Sequence, residues 1–361
     1  MDQAGLHREV FAFNPDLPLE EAWTPPASWY TAPAVDQLER TAVFRNSWQL
    51  ACRAAQVQNP GDFVAGLSFG LAWVVVRGQD GVLRAMANVC RHKATQVCEG
   101  AGNLPHLTCP YHGWTYKLDG ALRTAPRVAG IRNLERGEMS LPPFAVEEWG
   151  PYVFVHANPQ ARPLSDSLTD LKAALDATGW SELRWHSRRR YVVDCNWKVF
   201  CDNYLDGGYH IAHMHPSLAD QLDLDSYRTE LFEQFNVQTS GADTLGGGRI
   251  GGGAIYAWIY PNLMLNRYGP VLDTNYVLPL DADRCEVFFD FFFDASVDED
   301  WVEKSLEQSD VTQQEDMWVS AKAQIGMKSG SWPRGRYAPA VEKGVQHFHR
   351  LLAGDLRRAA T

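Results

Sequence analysis

The chain has 361 residues, 45% of them hydrophobic and 12% aromatic, enough to bury the cores of two globular domains. Its formal net charge of −11 comes with no basic run, which argues against a groove for nucleic acid, where clustered Lys and Arg must meet phosphates. The N-terminal stretch is acidic (Asp2, Glu9, Asp16, Glu20, Glu21) and has no secretory or transit pattern, and no segment is apolar and long enough to span a membrane, so a cytoplasmic protein is expected.

From about Trp48 to Val155 the sequence predicts short strands broken by turns. Ala72 to Val76 is an apolar run, Asp80-Gly81 is a turn, and Val82 to Val89 is the second arm of a hairpin. Another Asp-Gly turn, Asp119-Gly120, follows Trp114 to Leu118. Between these turns stand Cys90-Arg91-His92 and, after a sixteen-residue gap, Cys109-Pro110-Tyr111-His112. A zinc finger keeps its cysteines in one half-site and its histidines in the other. Here each half-site mixes one thiol with one imidazole, as a Rieske-type [2Fe–2S] cluster requires, with Cys on one iron and His on the other. Cys90, His92, Cys109 and His112 are therefore candidate cluster ligands at hairpin tips of a small all-β domain. Gly113-Trp114-Thr115-Tyr116 continues the second loop and can shield the sulfurs, which tunes the potential. Cys52, Cys98, Cys195, Cys201 and Cys285 show no pairing pattern and read as reduced thiols.

Beyond Pro151 to Val155, a linker with Asn158-Pro159 and Pro163 marks a change of texture. Leu168, Leu171, Ala174 and Leu175 recur at helical spacing, and Arg190 to Cys195 reads as a strand. Ala254 to Tyr260, Asn275 to Leu280 and Cys285 to Phe293 predict an antiparallel meander, turning at Pro261-Asn262 and at Asp281-Ala282-Asp283. Asp298 to about Ile325 lacks Pro and Gly and opens with acidic residues, so one long helix is expected, with a last helix over about Ala340 to Arg358. A sheet with a long helix across it is an α+β domain. The run Gly246 to Gly251 matches GxGxxG, yet it opens a strand where a dinucleotide loop must open a helix; a flexible active-site loop is the expectation.

A second ligand cluster lies in Asn203-Tyr204-Leu205-Asp206-Gly207-Gly208-Tyr209-His210-Ile211-Ala212-His213-Met214-His215. On a regular helix Asp206 and His210 share a face, whereas His210 and His215 are separated by about 140°. Regular geometry would pair His210 with His213; the Gly207-Gly208 doublet and Pro216 open the route to His215 through a broken helix. Two imidazoles and one carboxylate make the facial triad of non-haem Fe(II) oxygenases. Asp316 on the long helix is the leading carboxylate, with Glu315 and Asp310 as competitors.

On these motifs, and on Asn196 to Phe200, Asp202 to His210, Tyr260-Pro261-Asn262, Arg267-Tyr268-Gly269 and Gly344 to His349, the chain resembles the oxygenase (alpha) component of Rieske non-haem iron oxygenases, most of all choline monooxygenase-like members. The resemblance implies a Rieske domain over 45–158 and a helix-grip (START/Bet v1-like) catalytic domain over 1–44 and 159–361, with an antiparallel sheet and a long C-terminal helix. It implies that His210, His215 and Asp316 bind the mononuclear iron, and Asn203 is a candidate catalytic residue beside them. It makes Asp206 the carboxylate bridge from His112 of a neighbouring subunit in a head-to-tail trimer, although relatives place that acid three residues before the first His and here the interval is four. It further implies use of O2 and of electrons passed from NAD(P)H by a flavin/iron-sulfur reductase or a ferredoxin. A quaternary ammonium substrate such as choline or a betaine would sit in an aromatic cage, for which Tyr256, Trp258, Tyr260, Tyr268 and Tyr276 are candidates. Asn266 stands where plant choline monooxygenases have Glu, which keeps hydroxylation or demethylation of a neutral or aromatic substrate as the alternative, with a non-catalytic electron carrier as the distant one.

Overall fold

A computed structural model describes residues 2–242, 250 and 253–360. The Gly246 to Gly251 run lies outside the described residues except for Ile250. The chain divides into two compact units, Phe44–Asp166 and Met1–Val43 with Ser167–Thr361. The second boundary falls later than the expected residue 158 because the backbone N–H groups of Leu164 and Ser165 donate to the Glu147 carboxylate at 2.7 and 2.9 Å, tying this segment to the first unit. No described helix is long and apolar enough to cross a membrane.

The first unit is all-β. Strands β1 (Gln49–Arg53), β2 (Asp62–Ser68), β3 (Leu71–Arg77), β4 (Leu83–Ala87), β5 (Ala101–Asn103), β9 (Pro143–Trp149) and β10 (Tyr152–His156) form a sheet in the order β1-β10-β9-β4-β3-β2-β5. A small sheet pairs β6 (Leu107–Thr108), β7 (Thr115–Tyr116) and β8 (Leu122–Thr124). The β-branched run Val74, Val75 and Val76 is wholly buried, which is why β3 reads as an unbroken apolar segment. Both expected turns form as the sequence dictates: Asp80 and Asp119 accept from the backbone N–H two residues on, and Gly81 and Gly120 take positive φ.

The second unit carries one antiparallel sheet, β11 (Arg184–Val193), β12 (Leu222–Leu231), β13 (Phe235–Ala242), β14 (Ala254–Ile259), β15 (Leu263–Tyr268), β16 (Val271–Asp281) and β17 (Arg284–Phe293), in the order β11-β17-β16-β15-β14-β13-β12. The helix Glu299–Lys328 packs against it, as in an α+β helix-grip arrangement. Asp298 caps that helix by accepting from the N–H of Trp301, acidic Glu299 and Asp300 fill its first turn, and it runs past Ile325 through Gly326. The last helix, Lys343–Ala360, holds the N-terminal segment: Gln346 and Arg357 donate to the carbonyls of Leu17 and Phe13, and Tyr30 meets the His349 ring at 2.9 Å. These bonds explain why residues 1–43 belong to the second unit despite the intervening domain.

Candidate active site

In the first unit the two Cys/His loops are built alike. The N–H of Cys90 donates to Thr95 O and its carbonyl accepts from Ala94 N; the N–H of Cys109 donates to Trp114 O and its carbonyl accepts from Gly113 N. Ala94 and Gly113 both take positive φ, 58° and 72°, so each loop turns back on its cysteine at the same step. The two thiols are buried and within hydrogen-bonding reach of each other, while His92 and His112 are exposed at the tip with ring centroids 4.6 Å apart. Trp114 stacks on His92 at 5.0 Å, and Tyr111 lies against His112. Burial raises the pKa of the Cys109 thiol, and N–H groups of Tyr111 and His112 work against it by pointing at the sulfur. The Cys90 sulfur lies 3.3 Å from the Tyr116 hydroxyl, which also accepts from the N–H of Arg91. Buried thiols with N–H donors beneath exposed imidazoles fit a [2Fe–2S] cluster bound by Cys on the inner iron and His on the outer one. Cys98 turns to Asn88 instead, its N–H donating to the Asn88 side-chain oxygen at 3.1 Å and its sulfur 3.5 Å from that atom, and burial pushes its thiol up to about 12.

In the second unit the helix Trp197–Leu205 ends at Asp206, and Gly207 and Gly208 both take positive φ before His210 starts a four-residue helix, Ile211–Met214. A side chain at Gly207 would press on the carbonyl of Val341 at 2.4 Å, so glycine is required there for space as well as for φ. This break, not a regular helix, brings the His210 and His215 rings to 5.0 Å and leaves His213 exposed. The sequence left His213 and His215 open as alternatives; it is His215 that lies beside His210 and Asp316.

One ligand atom each from His210, His215 and Asp316 lie within 4.8 Å of one another. Asp316 Oδ1 is 3.1 Å from His215 Nε2 and 3.8 Å from His210 Nε2, and it accepts from Asn203 Nδ2 at 2.7 Å. The outer nitrogens face carboxylates too: His210 Nδ1 meets Asp206 at 2.7 Å, and His215 Nδ1 meets Glu315 at 2.6 Å. Glu315, weighed above as a ligand, thus lies on the far side of His215, and Asp310 is engaged elsewhere by Arg189 and Tyr191. Burial lowers the pKa of the His215 imidazole, but Asp316 and Glu315 outweigh it and the net shift is upward. Two Nε2 atoms and a carboxylate converging on one point, with polar partners behind each, fit a facial Fe(II) triad.

A cavity of about 140 Å³ opens beside this group, between the sheet and the long helix, close in size to an engineered pocket that takes up benzene. Of the six predicted pocket residues, Tyr256, Asn266 and Tyr268 line it and Trp258, Tyr260 and Tyr276 do not. Trp258 packs on Phe348 of the last helix, and the Tyr260 hydroxyl donates to Asp355 there. Strand alternation puts Asp273 and Asn275 on the cavity face of β16 and turns Tyr276 away. Tyr204 and Tyr227 line the cavity and were missed, Tyr227 because β12 has no clear strand pattern in the sequence. Burial holds both phenols protonated. Asn266 accepts from Tyr204 and donates to Asp273, its cross-strand partner, so a carboxylate stands on this wall although residue 266 is not acidic.

Models of two families match: the Rieske [2Fe-2S] domain over residues 47–135, and the ring hydroxylating alpha subunit catalytic domain over 180–252 and 247–356. The chain belongs to the Rieske non-haem iron oxygenases, as their oxygenase (alpha) component. It is 42% identical to choline monooxygenase, chloroplastic, of Arabidopsis thaliana, over 98% of this chain and 87% of that protein. It is 32% identical to the carnitine monooxygenase oxygenase subunit of Escherichia coli (strain K12), over 96% of each. Among solved structures it superposes on the quaternary ammonium Rieske monooxygenase CntA in complex with L-carnitine, with a TM-score of 0.81, 28% identity and coverage of 97% of this chain and 98% of that one. As a member of this family it carries a Rieske cluster and a mononuclear iron, and it draws electrons from a reductase or ferredoxin to react O2 with a small molecule.

Proposed function

We propose that the protein is a monooxygenase of a small quaternary ammonium compound, choline or a betaine. The observation that carries this reading is the cavity wall: Tyr204, Tyr227, Tyr256 and Tyr268 surround a space beside the triad, with Asp273 among them. Aromatic faces and a carboxylate stabilise a cation that cannot donate hydrogen bonds. The names of its relatives, choline and carnitine monooxygenases, agree with that chemistry.

In this reading Cys90, His92, Cys109 and His112 hold the cluster, and His210, His215 and Asp316 hold the iron. Iron bound by such a triad supplies O2 activation. The protein's own residues orient and enclose: the tyrosines seat the cation, Asn203 fixes the Asp316 carboxylate, and Asp206 fixes His210. Asp206 is also the bridge through which electrons arrive from His112 of the next subunit in a head-to-tail trimer. Inter-subunit electron transfer is attributed to the structurally similar quaternary ammonium monooxygenase.

The test is substrate-dependent O2 uptake and product analysis with a surrogate reductase and NADH, offering choline, glycine betaine, L-carnitine and benzoate separately. Oxidation of one or more of the three quaternary ammonium compounds, with benzoate inert, is expected. Turnover of benzoate alone would overturn the substrate assignment. Iron analysis separates an oxygenase, with three irons per chain, from an electron carrier with two.

A further inference from the structure

The two carboxylates of Glu315 and Asp316 are neighbours on one helix, yet they address opposite nitrogens of a single imidazole. Glu315 Oε2 lies 2.6 Å from His215 Nδ1, and Asp316 Oδ1 lies 3.1 Å from His215 Nε2. A neutral imidazole has one N–H, and only the nitrogen without it can bind a metal. An ionised carboxylate accepts hydrogen bonds and cannot donate them, so Glu315 stabilises the tautomer with its proton on Nδ1. Nε2 is then free toward Asp316 and His210.

The backbone makes such an anchor necessary. His215 sits at the end of its short helix with φ −125° and ψ 67°, followed by Pro216, so no regular helical turn sets its ring direction. Its side chain is 1% exposed, whereas that of Glu315 is 32% exposed and keeps contact with water. The arrangement repeats across the site, where Asp206 lies 2.7 Å from His210 Nδ1. The two anchors differ in origin. Asp206 belongs to the histidine segment itself, while Glu315 reaches it from the long helix, as Asp316 does toward Asn203.

We infer that Glu315 is a positioning residue of the metal centre, which holds the proton of His215 on Nδ1 and aims Nε2 at the metal without being a ligand. This rests on the assignment of His210, His215 and Asp316 as the ligand set. The test is Co(II) affinity at the mononuclear site in the full-length protein, its Rieske cluster intact, measured by competition with a chelator. Glu315→Gln is expected to weaken Co(II) binding ~10- to 100-fold, with the cluster's visible absorption and the metal-free melting temperature unchanged. Glu315→Asp should recover part of the loss, which a merely structural role would not produce. Asp316→Ala should abolish binding, and binding that survives it would sink the ligand set itself. With Asp316→Ala inactive in binding, wild-type affinity in Glu315→Gln would overturn the positioning role. Loss in Glu315→Gln as complete as in Asp316→Ala would make Glu315 a ligand and overturn the inference equally.

Discussion

The Tyr116 hydroxyl, 3.3 Å from the Cys90 sulfur, is fully buried and is held from its other side by the N–H of Arg91. A donor aimed at a cluster sulfur stabilises the reduced, more negative state and so raises the potential. Tyr116→Phe removes one hydrogen bond worth about 1 kcal/mol, and with about 59 mV per tenfold for a one-electron couple the potential should fall by roughly 40 mV. A redox titration followed by circular dichroism or electron paramagnetic resonance reads this directly, and an unchanged potential would deny the hydroxyl that role. Chemistry of this kind was legible at the level of single residues where type and spacing alone define it. The mixed half-sites of Cys90-Arg91-His92 and Cys109 to His112 state their ligand set before any fold is known. Glu315 was not legible as a His215 partner, because nothing in Gln314-Glu315-Asp316 says which carboxylate faces Nδ1 and which faces Nε2.

Among the elements, the long helix and the strands β14, β16 and β17 follow from continuous pattern, but β12, β13 and β15 do not. Leu222–Leu231 buries only Leu222 and Thr229, and its apolar residues Leu222, Leu224, Tyr227 and Leu231 do not keep a period of two, so alternation is too weak to announce a strand. The segment of Asp206 to His215 is the reverse case, since a regular period would set His213 beside His210 and the two positive-φ glycines bring His215 there instead. The Trp197–Leu205 helix that leads into this segment is pinned from beneath by a feature sequence cannot reveal. Lys198 Nζ lies 2.7 Å from Glu39, both side chains are 0% exposed, and Trp197 Nε1 donates to the same carboxylate. Burial raises the pKa of Glu39, and Lys198 is the main influence holding it down. Lys198→Met leaves a buried carboxylate without its cation and should cost about 3–5 kcal/mol, whereas Lys198→Met with Glu39→Gln should recover most of it. In the single variant the Glu39 pKa rises further in the folded state, so folding takes up a proton and stability is retained at low pH and lost as pH rises through that pKa. Melting temperatures across about pH 5 to 8 should therefore show the deficit widening upward in pH, and a deficit independent of pH would exclude this cause.

At the scale of the whole molecule, the question is how electrons from one unit reach the other. The cluster histidines are exposed at the tip of their unit, ready to meet another surface, and Asp206 lies against His210 in its own. If the two meet only between subunits of a closed ring, each iron depends on its neighbour's cluster. Asp206→Asn keeps an acceptor for His210 Nδ1 while removing the charge, and should lose turnover even when excess Fe(II) has refilled the mononuclear site weakened by that change. His112→Ala should lose the cluster and also be inactive. Co-expressed in equal amounts, the two chains would mix at random, and a working site needs an intact Asp206 next to a subunit with an intact cluster. That combination arises at about a quarter of all positions in a mixed ring, so the mixture should recover about a quarter of wild-type turnover per chain. Transfer confined to one chain would leave the mixture as inactive as its parents, because no chain in it carries both intact groups.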